Sequence, residues 1–313
     1  MSTQPLGIFD SGVGGLTVVR AVQQLLPHES IIYLGDTARV PYGSKSPRTI
    51  REFAEQDVRF LISQGVKAIV VACNTASAHA LASLQALHDV PIIGVIEPGV
   101  EAALADPACQ RVGIIATRGT IRSHAYQHAL AQRRPDLLIL EQPTPLLVPL
   151  VEEDWLGHPA TRQILDTYLG PMLKRGMDTL LLACTHYPLL VPVLEDMLDG
   201  RVRLVDSATT CAEHLRQHLA AHGLLAGERP GSPQPLGIFD SGVGGLTVVR
   251  AVRELLPRES IVYLGDTARV PYGSKSPETI RHFSDQDVRF LISKGVKAIV
   301  VACNTATAHA LDE

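Results

Sequence analysis

Residues 68–80 read AIVVACNTASAHA, and this stretch decides the fold. A short apolar run, Ala68 to Ala72, stops at Cys73 and passes at once into polar Asn74 and Thr75. An alanine-rich stretch of helical character follows. The pattern predicts a buried strand, a cysteine at its carboxyl end and a helix start. Residues 179–188, TLLLACTHYP, have the same build and carry Cys184. The first stretch returns at 298–310 as AIVVACNTATAHA, with Cys303.

Around these stretches, strand-like and helix-like segments alternate. Leu6 to Phe9 is a strand ending in Asp10 and the turn DSGVGG, followed by the amphipathic helix LTVVRAVQQLL. Ser30 to Leu34 is a strand ending in the polar loop GDTARVPYGSKSP. Ser46 and Pro47 read as N-cap and first helical residue, and that helix stops at Gly65. Pro91 to Val95 is a fourth strand. From about residue 98 the pattern restarts. Strands are expected at 111–116, 137–140, 179–183 and 202–206, and helices at 123–133, 159–174 and 208–222. This alternation predicts an α/β fold of parallel sheets covered by helices on both faces. Ligands in such sheets bind beyond the carboxyl ends of the strands. Asp10, Asp36, Cys73, Thr117 and Cys184 all fall at such ends.

Composition narrows the function classes. The 313 residues suffice for two domains with good cores. A net charge of −4 leaves no basic footprint for nucleic acid. No apolar run reaches membrane-spanning length, and the first residues, MSTQPLGIFD, do not form a signal peptide. A cytoplasmic protein without a membrane partner is expected. The five cysteines show no C-x-x-C pair and no zinc-site spacing, so free thiols are expected and no metal.

The chemistry suggested is proton transfer. Cysteine reacts as its thiolate, and a helix N-terminus lowers a thiol pKa from about 8.5. Two thiols facing opposite sides of one carbon can invert it, one removing a proton while the other delivers one. DSGVGG does not complete a dinucleotide or phosphate-loop motif. It reads either as a tight turn or as a turn whose N–H groups receive a carboxylate, with Asp10 near the reacting thiol. Asn74, Thr75 and Thr185 read as N-caps or as substrate contacts. Pro41-Tyr42-Gly43 reads as a turn, or as a lid presenting Tyr42. His186, two residues beyond Cys184, is a candidate proton partner, with Glu152 or Glu153 to orient it. Cys109, Cys211, His79, His124 and His214 are given structural roles.

GERPGSPQ at 227–234 has the composition of a linker. Beyond it, residues 234–313 repeat 4–83 without a gap, with roughly 68 of 80 positions identical. The differences, such as Gln23/Arg253 and Glu52/His282, fall mainly on polar helix faces.

DSGVGGLTV, GDTARVPYG, VVACNTASA, LLVPLVE and LLACTHYPLL, in this order, resemble the bacterial glutamate racemases across roughly residues 5–222. The resemblance implies two similar parallel-sheet α/β domains with the active site between them, plus a C-terminal partial repeat of the first. The boundaries expected are 1–97 with 207–226 for the first domain, 98–206 for the second, 227–233 for the linker and 234–313 for the repeat. It implies interconversion of L- and D-glutamate for peptidoglycan, with glutamate as substrate and no cofactor or metal. Cys73 and Cys184 would be the acid/base thiols, Asp10 assisting Cys73, and His186 with Glu152 assisting Cys184. Ser11, Pro41, Tyr42, Gly43, Asn74, Thr75, Thr117 and Thr185 would bind substrate. The start lacks the extension of family members activated by a peptidoglycan precursor, so no such activator is expected. The family is often dimeric, which allows a homodimer that exchanges the repeat segment. The repeat is expected to be a loosely docked appendage, with the first copy holding the site. Alternative readings are a racemase of aspartate or another acid, or a non-catalytic role like that of family members that bind DNA gyrase. The basic or amphipathic surface that the last would need is not seen.

Overall fold

The computed structural model describes residues 2, 4–227, 234–256 and 259–310. The linker expected at 227–233 lies almost wholly outside the described residues.

The first sheet is built by β1 (Leu6–Asp10), α1 (Leu16–Leu25), β2 (Ile31–Gly35), α2 (Pro47–Ser63), β3 (Ala68–Val71), α3 (Asn74–Leu87) and β4 (Ile92–Gly94), and α4 (Ile96–Leu104) follows it. Its strands run parallel in the order β2-β1-β3-β4, with Leu6 opposite Ile31 and Ala68. Every residue of β3 is buried, as a continuous apolar run requires in a sheet covered on both faces. α2 starts where Ser46 accepts from the Thr49 N–H at 3.1 Å with Pro47 in its first turn, and Gly65 takes φ +70° just past its end.

The second sheet repeats this plan. It comprises β5 (Arg111–Ala116), α5 (Arg118–Ser123), α6 (Ala125–Arg133), β6 (Leu138–Pro143), α7 (Leu147–Glu152), α8 (Pro159–Lys174), β7 (Thr179–Ala183), α9 (Val191–Leu198), β8 (Arg203–Asp206) and α10 (Ser207–Ala221). The order β6-β5-β7-β8 is that of the first sheet, element for element. α10 crosses back. Its Cys211, Ala212, Leu215 and Leu219 join Val18, Val19 and Val22 of α1 in one core. Each such aliphatic side chain contributes about 1.5–3 kcal/mol through burial. A buried ion pair fastens the return: Lys67 lies 2.6 Å from Glu29 and donates to the Leu224 carbonyl, while Glu29 accepts from the Ala226 N–H.

The expected helix at 123–133 is α6, and a further short helix, α5, precedes it, the two separated by His124 at a left-handed φ of +53°. α4, α7 and α9 were not anticipated, and the polar loop after β2 contains two 3-10 turns, Thr37–Arg39 and Tyr42–Ser44.

The repeat forms a third parallel sheet, β10-β9-β11, from β9 (Leu236–Asp240), α11 (Leu246–Leu255), β10 (Ile261–Gly265), α12 (Pro277–Ser293) and β11 (Ala298–Val301), with α13 (Asn304–Ala310) after it. It is not a loose appendage, and it does not take the first copy's place. It sits against β2 through β10 with reciprocal contacts. Ser30 donates to the Glu259 carbonyl at 3.1 Å and Ser260 to the Glu29 carbonyl at 3.2 Å. Phe60 packs against the repeat's core, and its counterpart Phe290 packs against the first copy's core. Equivalent residues meeting in both directions define a pseudo-two-fold arrangement.

Candidate active site

Cys73 and Cys184 stand at the carboxyl ends of β3 and β7, equivalent strands of two sheets of the same order. Both line one cavity of about 440 Å³ between the sheets. Ser11, Pro41, Tyr42, Gly43, Asn74, Thr75, Thr117, Glu152, Thr185 and His186 line it as well. Asp10 lies beneath its floor and is fully buried.

Asp10 explains the glycine turn. Its carboxylate accepts from the Gly12 N–H at 3.0 Å and from the Gly15 N–H. Two of the turn's N–H groups, those of Gly12 and Gly15, therefore serve this carboxylate. Thr185 also donates to Asp10, at 3.3 Å, and Thr17 donates to the Thr185 carbonyl at 2.8 Å, so the turn is tied to the β7 end. Gly14 is required by this approach. A Cβ there would lie 2.5 Å from the His186 ring and from Thr185 Oγ1.

Cys73 is itself the N-cap of α3, its Sγ accepting from the Ala76 N–H at 3.4 Å and approaching Ser11 Oγ at 3.5 Å. The expected lowering of its pKa does not follow. Burial first, and the Asp10 carboxylate second, push the thiol up to about 12, outweighing the bonds to Ser11 and Ala76. Desolvation of a fully buried thiolate outweighs one weak N–H contact.

Cys184 is not at an α-helix start. A 3-10 turn, Tyr187–Leu190, intervenes before α9. Its electrostatic partner is a side chain. His186 Nδ1 lies 3.8 Å from Cys184 Sγ, and His186 Nε2 donates to Glu152 at 3.0 Å. Burial opposes the charged ring, but Cys184 and Glu152 overcome it and raise His186 to about 10. A charged ring here would donate through both nitrogens. Of the two glutamates left open, Glu152 makes this contact, though both are exposed.

Thr75, Thr117 and Thr120 hold one another, and Asn74 is held separately. Thr75 Oγ1 lies 2.9 Å from Thr117 Oγ1 and 3.0 Å from Thr120 Oγ1. Asn74 accepts from Tyr126 at 2.6 Å and donates to Ser207 at 3.4 Å. Tyr42 lines the cavity, but its hydroxyl is engaged elsewhere. It is buried, and its hydroxyl donates to Asp36 at 2.5 Å rather than facing the cavity as a free group. Thr120, Tyr126 and Ser207 were missed because their link to Cys73 is purely spatial. Arg118 and Arg122, at the cavity wall, were missed too, although TRGTIR follows a strand end. All five cysteines are free thiols.

A profile of the Asp/Glu/Hydantoin racemase family matches residues 16–215. The chain belongs to that family. Among individual relatives, the glutamate racemase of Neisseria meningitidis serogroup A is 52% identical over 223 residues, 71% of this chain and 82% of the relative. That of Syntrophus aciditrophicus is 48% identical over 225 residues, 72% of this chain and 83% of the relative. Solved racemases superpose as well. Francisella tularensis glutamate racemase, in complex with D-glutamate, gives a TM-score of 0.70 at 34% identity and covers 86% of this chain and 100% of its own. Thermus thermophilus glutamate racemase, in complex with beta-chloro-D-alanine, gives 0.69 at 40% identity, covering 84% and 97%. Among the described residues, no helix of this racemase is long and apolar enough to cross a membrane.

Proposed function

We propose that the chain interconverts L- and D-glutamate without cofactor or metal, with Cys73 and Cys184 as the acid/base pair. One observation carries this reading: two thiols from equivalent strand ends share one cavity, each with its own ionisable neighbour. One sulfur takes the α-proton as a thiolate, leaving a carbanion delocalised into the substrate carboxylate. The other delivers its thiol proton from the opposite face. The two sides are unequal. Asp10 and burial keep Cys73 protonated, which suits a donor. The His186 imidazolium, oriented by Glu152, is the counter-ion that a thiolate at Cys184 needs. Ser11, the Pro41–Gly43 turn, Asn74, Thr75, Thr117 and Thr185 bind the substrate. The product serves peptidoglycan synthesis in the cytoplasm.

This reading divides the chain into a first domain (1–97 with 207–226), a second domain (98–206), a linker (227–233) and the repeat (234–313). The return of α10 to α1 supports joining 207–226 to the first domain. A homodimer exchanging its repeat segments is the assembly that the duplication allows, and light scattering of the full chain tests it. Deuterium exchange at the α-carbon, run on both enantiomers of glutamate and of aspartate, tests the activity. Exchange with aspartate alone would move the substrate assignment, and exchange with neither acid would overturn it.

A further inference from the structure

We propose that Asp57, with Asp36 and Arg39, is a positioning residue for this racemase: these side chains clamp Tyr42 and so pre-form the turn that brings Pro41–Gly43 to the cavity. The inference rests on the glutamate reading above. Asp57 belongs to α2 and does not line the cavity. It is nevertheless buried and polar, in a helix face otherwise filled by Ile50, Ala54, Val58 and Leu61. Buried carboxylates persist where they are paired and hydrogen-bonded.

The clamp is closed on all sides. The Tyr42 hydroxyl lies 2.5 Å from Asp36 Oδ2 and 3.1 Å from Asp57 Oδ2. The Arg39 guanidinium donates through Nε to Asp36 at 2.8 Å, through one Nη to Asp57 at 2.9 Å and through the other to Gln56 at 2.6 Å. Its plane lies 4.4 Å from the centroid of the Phe53 ring. One planar fork thus ties the strand end (Asp36), the turn (Arg39, Tyr42) and the helix (Gln56, Asp57). Two carboxylates face one guanidinium and one hydroxyl. Burial first, then Asp36, push Asp57 up to about 7, so it readily holds the proton that relieves the like charges.

The repeat supplies the control. Asp266, Arg269, Tyr272 and Asp287 form the same clamp. Tyr272 lies 2.5 Å from Asp266 and 3.0 Å from Asp287, and Arg269 lies 2.8 Å from Asp287. The turn backbone is the same, φ −84° and ψ 141° at Pro41 against −84° and 138° at Pro271. The surroundings differ. A Cβ on Gly43 would lie 2.8 Å from Thr117, whereas one on Gly273 would meet nothing within 4 Å. The turn therefore keeps its shape with no second domain against it. At this point the two copies share the loop sequence GDTARVPYGSKSP and the clamp it forms with α2 and α12.

The test is steady-state racemisation of glutamate by the full chain and four variants. Asp57→Ala should raise KM about tenfold, the scale of one lost net hydrogen bond, with kcat within about threefold. Asp57→Asn, which still accepts from Tyr42 and Arg39, should restore most of that loss. Tyr42→Phe, which keeps the ring, should raise KM in the same direction. Asp287→Ala, the equivalent change in the repeat, should leave KM and kcat unchanged. An unchanged KM in both Asp57→Ala and Tyr42→Phe overturns the inference. So does a fall in kcat at constant KM, the mark of a smaller folded fraction. Absence of racemisation by the unmodified chain instead overturns the glutamate reading.

Discussion

Residues 4–83 and 234–313 share nearly all their side chains and little of their surroundings. β3 is wholly buried between β1 and β4, while β11 is partly exposed with β9 on one side only. Lys67 and Glu29 are paired at 1% and 2% exposure, and Lys297 and Glu259 at 24% and 25%. Yet the local geometry around the cysteine is the same. Cys303 caps its helix at 3.4 Å and approaches Ser241 at 3.3 Å, as Cys73 does with Ala76 and Ser11. The difference teaches that the cysteine motif builds itself. What differs is the far wall: among the described residues Cys73 shares a cavity with Cys184, Thr185 and His186, and Cys303 does not line it.

The largest effect should come from the thiols. Cys73→Ser should lower racemisation about 10³-fold, the contribution of a positioned acid/base group, while Cys303→Ser leaves it unchanged. Near wild-type racemisation in Cys73→Ser would break the comparison, because Cys303 would then have found a partner.

Gly14→Ala and Gly244→Ala form the next pair. The added methyl in the first meets His186 and Thr185 at 2.5 Å, while in the second the nearest atom is Asp240 Oδ2 at 3.6 Å. A displacement of this size at a reacting group should lower kcat/KM about 100-fold in the first variant and leave the second unaffected. Equal effects would show that the turn, not the approach of β7, is what the glycine serves.

A stability pair sharpens the contrast in burial. Lys67→Met leaves Glu29 buried without its cation and should cost about 3 kcal/mol in chemical denaturation. Lys297→Met should cost under about 1 kcal/mol, as befits a pair that water reaches.

The smallest effect is on pH dependence. His186 has a folded pKa raised to about 10 from an ordinary 6.5. Its contribution to stability is therefore complete below about pH 6.5 and is lost as pH rises through about 10. Thermal melts should show a decline over that window that His186→Asn flattens. The repeat has no counterpart of His186, so an unaltered slope in the variant would place the effect elsewhere.

Much of this was legible in the residues. Apolar runs ending in polar turns located β3 and β7, and Ser46-Pro47 located the start of α2 to the residue. The sharing of one cavity by Cys73 and Cys184 followed from matching strand ends. Three things were not legible. The short helix α5, ahead of the predicted one, ends on a single left-handed residue, His124, that no periodicity marks. The direction of the Cys73 shift depends on burial and on Asp10, 63 positions away in the chain. The Asp36–Arg39–Tyr42–Asp57 clamp joins a loop to a helix face whose spacing alone would put an apolar side chain at position 57.

The third sheet carries a different consequence at its outer edge. Among the described residues no strand covers β11 on the side where β4 covers β3. Ala298–Val301 is a short, β-branched and partly exposed segment that pairs with β9 alone among the described residues. Lys297, directly before it, is the charge that natural sheets place as a gatekeeper. In concentrated solutions of these 313 residues, association should begin at this edge.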